Sequence, residues 1–278
     1  MAHQFRVKRR SLRTLLRLLI AAILAINLMV LTVYLRHHSL RNLTARGFEV
    51  QLMGSEKDMM LATMDAFSRA LTRAGISFFM YSGTLIGSWR HHGLIPWDDD
   101  VDFAVPLELK RNVSGTLSKL EPHFILNEEQ KIRWKFYSCQ AHKITGISWK
   151  FPFLDISFYG LNGTHVWDED VEHFPDFVFP RDIVFPLTFR PFEGRQLPSP
   201  YNAKAVLTQT YNLSYCFSGV YDHHNERVIY TTKSVNCMDL HAVVPFVHRK
   251  PGPKGGCYET LVLNGTVLSW EVVEDFIC

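Results

Sequence analysis

The stretch YSGTLIGSWRHHGLIPWDDDVDFAV, residues 81–105, decides the fold of this chain. It is preceded by a compact apolar run at residues 76–81, which predicts a buried strand. Residues 84–90 are expected to form a short helix. A strand that leads through a Gly-Thr pair into a helix can hold an anion, because the helix N-terminus presents free backbone N–H groups. Gly83 and Thr84 are therefore predicted to contact an anionic group.

The second half of the stretch places four aspartates in five positions. Residues 100–105 alternate, which predicts a strand with Asp100 and Asp102 on one face, ~7 Å apart. A third carboxylate, Asp155, lies in the alternating run at residues 153–158. Three carboxylates converging from two strands form a hard-oxygen cage that suits Mg²⁺ or Mn²⁺ together with substrate phosphates.

Three of the aspartates have a second interpretation. Asp98 and Asp99 follow Pro96 closely and are equally compatible with a solvated acidic turn. Asp155 is also compatible with a surface turn, where it would pair with Lys143 or Lys150. Lys143 is in turn a candidate phosphate contact or an ordinary solvated lysine.

Residues 83–102 resemble the signature of the LicD family, G-T-L-x-G-x-x-R-x-x-G-x-I-P-W-D-x-D-x-D. That family includes bacterial phosphocholine transferases and the fukutin-type proteins of animals. A weaker resemblance continues through FPFLDISFY at residues 151–159 and RPFEGRQLPSPYNAKAVLTQTYN at 190–212. It implies an α/β (α+β) fold, a nucleotidyltransferase-like mixed sheet flanked by helices. It also implies metal-dependent transfer of a phosphate-linked group from a CDP donor to a sugar hydroxyl.

The same resemblance assigns roles to individual residues. It implies that Asp100 and Asp102 bind the metal, that Asp98 is a further acidic ligand, and that Asp155 completes the set and helps to deprotonate the acceptor. Arg90 is then a candidate to neutralise substrate charge or a plain surface arginine. Trp97 is a candidate nucleotide contact, although packing in the core is favoured for it.

The adjacent histidines His91 and His92 diverge by ~100° on a helix, so they are not expected to share a metal ion. The net charge of +3 is mild and concentrated at the N-terminus, so no nucleic-acid partner is expected.

Residues 18–35 carry no formal charge and are about long enough to span a membrane. Six basic residues precede this run and three follow it, which predicts a cytosolic N-terminus. The alternative is a cleaved signal peptide. The predicted organisation is a cytosolic tail at 1–17, a transmembrane signal-anchor at 18–35, a lumenal stem at 36–54, a catalytic domain at 55–215 and a cysteine-containing C-terminal segment at 216–278.

Sequons and cysteines agree with a lumenal domain. The five N-x-S/T sequons are candidate glycosylation sites, and they lie at Asn42, Asn112, Asn162, Asn212 and Asn264. Four of the five cysteines lie at or beyond residue 216 and form no C-x-x-C pair, which favours two disulfides over a zinc site.

The expected protein is thus a single-pass type II enzyme of the Golgi or ER membrane with its catalytic domain in the lumen. It would move ribitol phosphate, glycerol phosphate or phosphocholine from a CDP-linked donor onto a glycan or glycoprotein acceptor. One alternative is a non-catalytic glycan-binding scaffold, which has no reason to keep repelling acids. The other is an enzyme that makes the CDP donor, which the membrane segment and the sequons disfavour.

Overall fold

The computed structural model describes residues 17–35, 46–171, 176–219, 221–230, 232–252 and 256–273. The chain divides into an N-terminal unit that ends at Arg46 and a compact unit that begins at Gly47. Helix α1 (Arg17–Leu35) belongs to the first unit and is long and apolar enough to cross a membrane, by length and composition. The apolar helix predicted at residues 18–35 is therefore present, while its orientation in a membrane stays a prediction.

A mixed seven-stranded sheet lies at the centre of the compact unit. Its strands are β1 (Phe79–Met80), β2 (Val101–Pro106), β3 (Phe124–Asn127), β4 (Arg133–Lys143), β5 (Lys150–Leu161), β6 (His165–Asp168) and β7 (Val178–Pro180). The main path is β1-β2-β5-β4-β3, while β6 pairs with β5 and with β7. Strands β2 and β5 are parallel, and the other pairs are antiparallel. This confirms the predicted mixed α/β class.

Five α-helices belong to the compact unit in the described part of the chain: α2 (Gly54–Arg73), α3 (Ser82–His91), α4 (Lys110–Leu117), α5 (Arg181–Val184) and α6 (Ala203–Thr210). Helix α2 buries a methionine and phenylalanine stripe at helical spacing, because that face packs on the sheet. The Phe67 ring, for example, stacks on the Phe103 ring of β2 with centroids 5.0 Å apart. This packing fixes β2 from one side.

The remaining strands form small sheets. These are β8 (Thr188–Phe192) with β9 (Arg195–Ser199), β10 (Tyr215–Ser218) with β13 (Lys233–Asn236), β11 (Tyr221–Asp222) with β12 (Arg227–Val228), and β14 (Phe246–Pro251), β15 (Cys257–Leu263) and β16 (Thr266–Val273) together.

The compact unit begins earlier than the predicted boundary at residue 55. Phe48 and Leu52 are buried in the core, and the Phe48 ring meets the Trp97 ring edge-on at 4.9 Å. The backbone N–H of Gln51 donates to the carbonyl of Pro96 at 2.9 Å. The described end of the predicted stem is therefore part of the fold, since its two apolar side chains have a place in the core.

The C-terminal segment also belongs to the same core, although its sequence predicts little core of its own. Leu240, Phe246 and Val273 are buried with the residues of the main sheet. A disulfide joins Cys216 to Cys237, and Cys257 is disulfide-bonded as well. The prediction that disulfides staple this segment is confirmed for these cysteines, while Cys139 is free and Cys278 lies outside the described residues.

A buried ionic cluster attaches this segment to the rest of the compact unit. Glu259 on β15 is fully buried and accepts two hydrogen bonds from Arg190 Nη2, both at 2.9 Å. Arg249 Nε donates to the same carboxylate at 2.8 Å, and His92 Nε2 lies 2.8 Å from it. The neighbouring His91 turns elsewhere, with Nδ1 2.7 Å from the carbonyl of Pro245. The two histidines diverge, as predicted, and both are engaged inside the protein.

Candidate active site

The site begins at the N-terminus of α3, which follows directly on β1. Gly83 lines the cavity there, and an added Cβ would lie 2.9 Å from Asp98 Oδ2 and 3.5 Å from Asp102 Oδ2. Thr84 is buried, and its hydroxyl accepts the backbone N–H of Asp102 at 2.6 Å. Glycine therefore leaves room for the acids, and the Thr84 side chain fixes β2. The contact of Thr84 with a phosphate stays a prediction.

The sheet brings the third acid to the first two. Asp102 and Asp155 are register partners in the parallel pair β2–β5, and Asp100 precedes β2 by one residue. One carboxylate oxygen of Asp100, one of Asp155 and a ring nitrogen of His223 lie within 4.8 Å of one another. A second group of this kind contains Asp98, Asp99 and the same histidine. The acids thus converge on one cleft, as the alternation predicts.

Asp155 is buried, and its Oδ1 lies 2.6 Å from Lys135 Nζ. The alternative of a surface turn paired with Lys143 or Lys150 is therefore wrong. Lys143 is exposed at the end of β4, and Lys150 donates to the carbonyl of Cys139. Lys143 is not among the described residues that line the cavity. The lysine that contacts Asp155 is Lys135, its register partner on β4. Lys135 lies eight residues before Lys143 in the chain.

Burial and mutual repulsion raise the pKa values of the acids. Burial, and then the charge of Asp100, raises the pKa of Asp98 to about 8. Burial also raises the pKa of Asp102 well above its usual value, and the charges of Asp100 and Asp155 add to this. For His223, burial lowers the pKa, but the carboxylates of Asp100 and Asp99 outweigh it and raise the pKa to about 10. Without a cation, the buried acids therefore hold their protons more tightly than exposed aspartates do.

These residues fit a divalent cation. Five aspartates meet at this site, while the cationic groups beside them in the described part of the chain are Arg133, Lys135 and His223. Arg133 also forms an ion pair with Asp170, with 3.4 Å between Nη2 and Oδ2. Carboxylate oxygens are the donors that Mg²⁺ and Mn²⁺ prefer, and a bound cation would offset the repulsion that raises the pKa values.

Four of these acids line a cavity of about 280 Å³, namely Asp98, Asp100, Asp102 and Asp155, and Gly83, Trp97, Arg133 and Tyr221 line it as well. A second cavity of about 470 Å³ shares the walls formed by Trp97, Ser218, Gly219 and Tyr221. Trp97 is mostly buried and its Nε1 donates to the carbonyl of Phe217 at 2.7 Å. It therefore packs in the core, as favoured, and at the same time forms part of the wall between the two cavities.

Arg90 does not reach the cavity in the described structure. Its Nη2 donates to the carbonyls of Leu213 and Tyr215 at 3.0 and 2.9 Å, and the side chain is buried. The alternative of a plain surface arginine is wrong, because Arg90 is buried and fixes the chain at the start of the C-terminal segment. Its contact with substrate stays a prediction.

Sequence reasoning misses three side chains of this site. Arg133 and Lys135 stand two residues apart on β4, so they share a face, and Lys135 is opposite Asp155. The sequence does contain a signal for these two residues, because Arg133 and Lys135 alternate with the apolar Trp134 and Phe136. Such alternation places both cations on one face of a strand. His223 has no comparable signal, because it lies on a loop more than 120 residues from the acids it contacts.

The candidate glycosylation sites in the described residues are all exposed, namely Asn112, Asn162, Asn212 and Asn264. Asn42 lies outside the described residues.

The comparisons with known proteins agree with this site. Residues 75–202 match the family model described as LicD/FKTN/FKRP, nucleotidyltransferase domain. The predicted family is therefore confirmed. The mouse (Mus musculus) ribitol 5-phosphate transferase FKRP is 29% identical over 143 residues, which is 49% of this chain and 28% of that protein.

A bacterial relative is similar over a shorter range. The Haemophilus influenzae lipopolysaccharide cholinephosphotransferase LicD is 32% identical over 108 residues, which is 36% of this chain and 41% of that protein. The matched regions thus span less than half the length of these relatives, both of which are named as transferases. Among solved structures, ANT(2″)-Ia in complex with adenylyl-2″-tobramycin has a TM-score of 0.36 and 12% identity, covering 53% of this chain and 71% of that one.

Proposed function

We propose that this protein is a membrane-anchored, metal-dependent transferase that moves a phospho-alcohol from a CDP-linked donor to a hydroxyl of a glycan. The observation that carries the proposal is the convergence of Asp98, Asp100, Asp102 and Asp155 on one cavity beside Gly83. The relatives named as ribitol 5-phosphate and cholinephosphotransferases support the class of reaction. Ribitol phosphate, glycerol phosphate and phosphocholine are the groups proposed for transfer, and the fold proposed is nucleotidyltransferase-like.

The donor would occupy the cavity of the acids. Asp100, Asp102 and Asp155 would hold Mg²⁺ or Mn²⁺, with Asp98 as a further ligand, and the ion would neutralise the diphosphate of the donor. The N-terminus of α3 at Gly83 offers backbone N–H groups to a phosphate, and Arg133 supplies a positive charge on the same cavity. These contacts would orient the phosphate that is transferred.

The acceptor would occupy the adjoining cavity. It is lined by polar side chains, among them Gln51, Asn225 and Lys233, and by the ring of Tyr221, which suit a sugar. In the reaction, the acceptor oxygen forms a bond to the phosphorus of the alcohol phosphate and the P–O bond to CMP breaks. The hydroxyl proton passes to a carboxylate, for which we propose Asp155.

The membrane arrangement proposed is type II, in the Golgi or ER, with the compact unit in the lumen. The apolar α1 and the exposed sequons support it. A non-catalytic scaffold is the competing function, and the acid cluster speaks against it, because repelling buried carboxylates lower stability unless they hold a cation.

A donor screen tests the proposal. The full-length protein in detergent, with Mn²⁺ and a glycan panel, is incubated with CDP-ribitol, CDP-glycerol or CDP-choline, and released CMP and product mass are measured. One donor is expected to give product, Asp100→Asn to lose it, and the exposed Asp182→Asn to keep it. Absence of product with all three donors would favour the scaffold.

A further inference from the structure

His223 reaches the acids from outside the matched family domain. It follows β11, and its Nδ1 lies 2.7 Å from Asp99 Oδ1 while its Nε2 lies 3.3 Å from Asp100 Oδ2. The backbone N–H groups of His223 and His224 both donate to Asp99 Oδ2, at 3.1 and 3.2 Å. The loop is therefore held on the acid motif by its backbone, which leaves the imidazole placed over the acids.

The two ring nitrogens face the two groups of acids. Ligand atoms of His223, Asp100 and Asp155 lie within 4.8 Å of one another, and so do those of His223, Asp98 and Asp99. Two atoms bound to the same ion at ~2.1 Å lie at most ~4.2 Å apart, so a shift of less than about 1 Å would bring either group onto an ion. A ring nitrogen here completes a compact set that already contains two carboxylates.

We propose that His223 is a nitrogen ligand of the divalent ion, supplied by the C-terminal segment to the acids of the family domain. The proposal rests on the metal dependence in the proposed function. Imidazole is a softer donor than a carboxylate and suits Mg²⁺ poorly, so a mixed nitrogen and oxygen set favours Mn²⁺ over Mg²⁺. With His223 as a ligand, the ion expected at this site is Mn²⁺ rather than Mg²⁺.

A different role for His223 predicts the opposite result. If the imidazole served as a counter-charge to Asp99 and Asp100, it would compete with the ion for the same carboxylates. Its removal would then strengthen the binding of Mn²⁺, whereas removal of a ligand weakens it. The sign of the change in affinity separates the two roles.

The test measures metal binding by the full-length protein in detergent, without donor or acceptor. Mn²⁺ is titrated by electron paramagnetic resonance, and electron spin-echo modulation detects a nitrogen bound to the ion. The wild type is expected to show ¹⁴N coupling, and His223→Ala to lose it and to bind Mn²⁺ at least about tenfold more weakly. Mg²⁺ should displace Mn²⁺ more readily from this variant than from the wild type.

His224→Ala is the matched control, because this neighbouring side chain is half exposed and packs against Phe151. It should retain the ¹⁴N coupling and the Mn²⁺ affinity. If His223→Ala does not fold, His223→Gln replaces it. Absence of ¹⁴N coupling in the wild type, its loss in His224→Ala, or tighter Mn²⁺ binding by His223→Ala would each overturn the proposal. A protein that shows the coupling but releases no CMP would refute the proposed transfer reaction and leave this inference standing.

Discussion

Asp102 on β2 and Asp155 on β5 are direct partners in a parallel strand pair. The backbone ladder holds their Cα atoms side by side regardless of what their carboxylates bind. Burial raises the pKa of Asp102, and the charges of Asp100 and Asp155 raise it further. The fold therefore holds repelling acids together at its centre, and this repulsion is relieved when a cation binds.

Asp102→Asn tests whether a bound cation relieves the repulsion among these acids. Transfer should fall by more than about 100-fold, because even changes to groups behind a metal ligand cost 10–100-fold. In EDTA, the melting temperature should hold or rise, because a buried asparagine, unlike the aspartate, never ionises beside Asp100 and Asp155. CMP release measures the loss of transfer, and thermal unfolding measures the melting temperature. Asp182→Asn, at an exposed position, is the control. A variant that retains normal turnover at saturating Mn²⁺ would contradict the metal site.

Gly83→Ala tests the close approach of α3 to the acids. The new methyl carbon would lie 2.9 Å from Asp98 Oδ2, so this carboxylate must shift and Mn²⁺ affinity and transfer should both decrease. Gly115→Ala is the matched control in α4, where an added Cβ meets nothing within 4 Å. It should stabilise the protein by up to about 1 kcal/mol and leave transfer unchanged. Equal transfer by both variants would show that the contact at Gly83 is unimportant.

The predictable parts of the site are the local ones. Strand alternation predicts that Asp100, Asp102 and Asp155 face a common cleft, and in the structure all three line one cavity. The sequence cannot select Lys135 over Lys143, because both lie on β4 and only the register with β5 decides which of them meets Asp155. Register depends on packing between distant segments.

Arg90 and the C-terminal segment show a second limit. The position of Arg90 on a predicted helix does not reveal that its guanidinium donates to the backbone carbonyls of residues 213 and 215. Likewise, nothing in the sequence near Glu259 indicates that it is buried, because its partners Arg190 and Arg249 lie elsewhere in the chain. Contacts of this kind join segments far apart in the chain, so periodicity carries no information about them.

The membrane topology has a direct test. With a tag at the N-terminus, protease added to intact microsomes should remove the tag, since the excess of basic residues before α1 predicts a cytosolic end. The exposed Asn112, Asn162, Asn212 and Asn264 should carry glycans that an endoglycosidase removes. A protected tag would contradict the orientation, and a shortened chain would indicate signal cleavage.

The Cys216–Cys237 disulfide closes the loop that contains His223. Replacing both cysteines by serine should lower the free energy of unfolding by about 2–4 kcal/mol, because the unfolded chain regains freedom. The same change should weaken Mn²⁺ binding if this loop supplies a ligand. Cys139→Ser is the control, since Cys139 is free, and should change stability by no more than about 0.5 kcal/mol. Urea unfolding and Mn²⁺ titration measure the two effects.

Glu259 makes the stability of the fold depend on pH in the acid range. Burial raises its pKa, but the hydrogen bond with His92 and the charges of Arg190 and Arg249 outweigh burial and hold the pKa at about 2, below the usual 4.5. Because the pKa is lower in the folded state, the stabilisation is fully present above pH ~4.5 and is lost as the pH falls toward ~2. It amounts to about 3 kcal/mol.

Urea unfolding between pH 7 and pH 2 measures this contribution, with Glu259→Gln as the variant. At pH 7 the variant should be about 3–5 kcal/mol less stable than the wild type, because the buried guanidinium of Arg190 loses its charged partner. The difference should shrink as the pH approaches 2, since the wild-type carboxylate then becomes protonated. Glu128→Gln, at an exposed position far from this cluster, should follow the wild type at every pH. A gap between wild type and Glu259→Gln that stays constant down to pH 2 would show that Glu259 is not the titrating group.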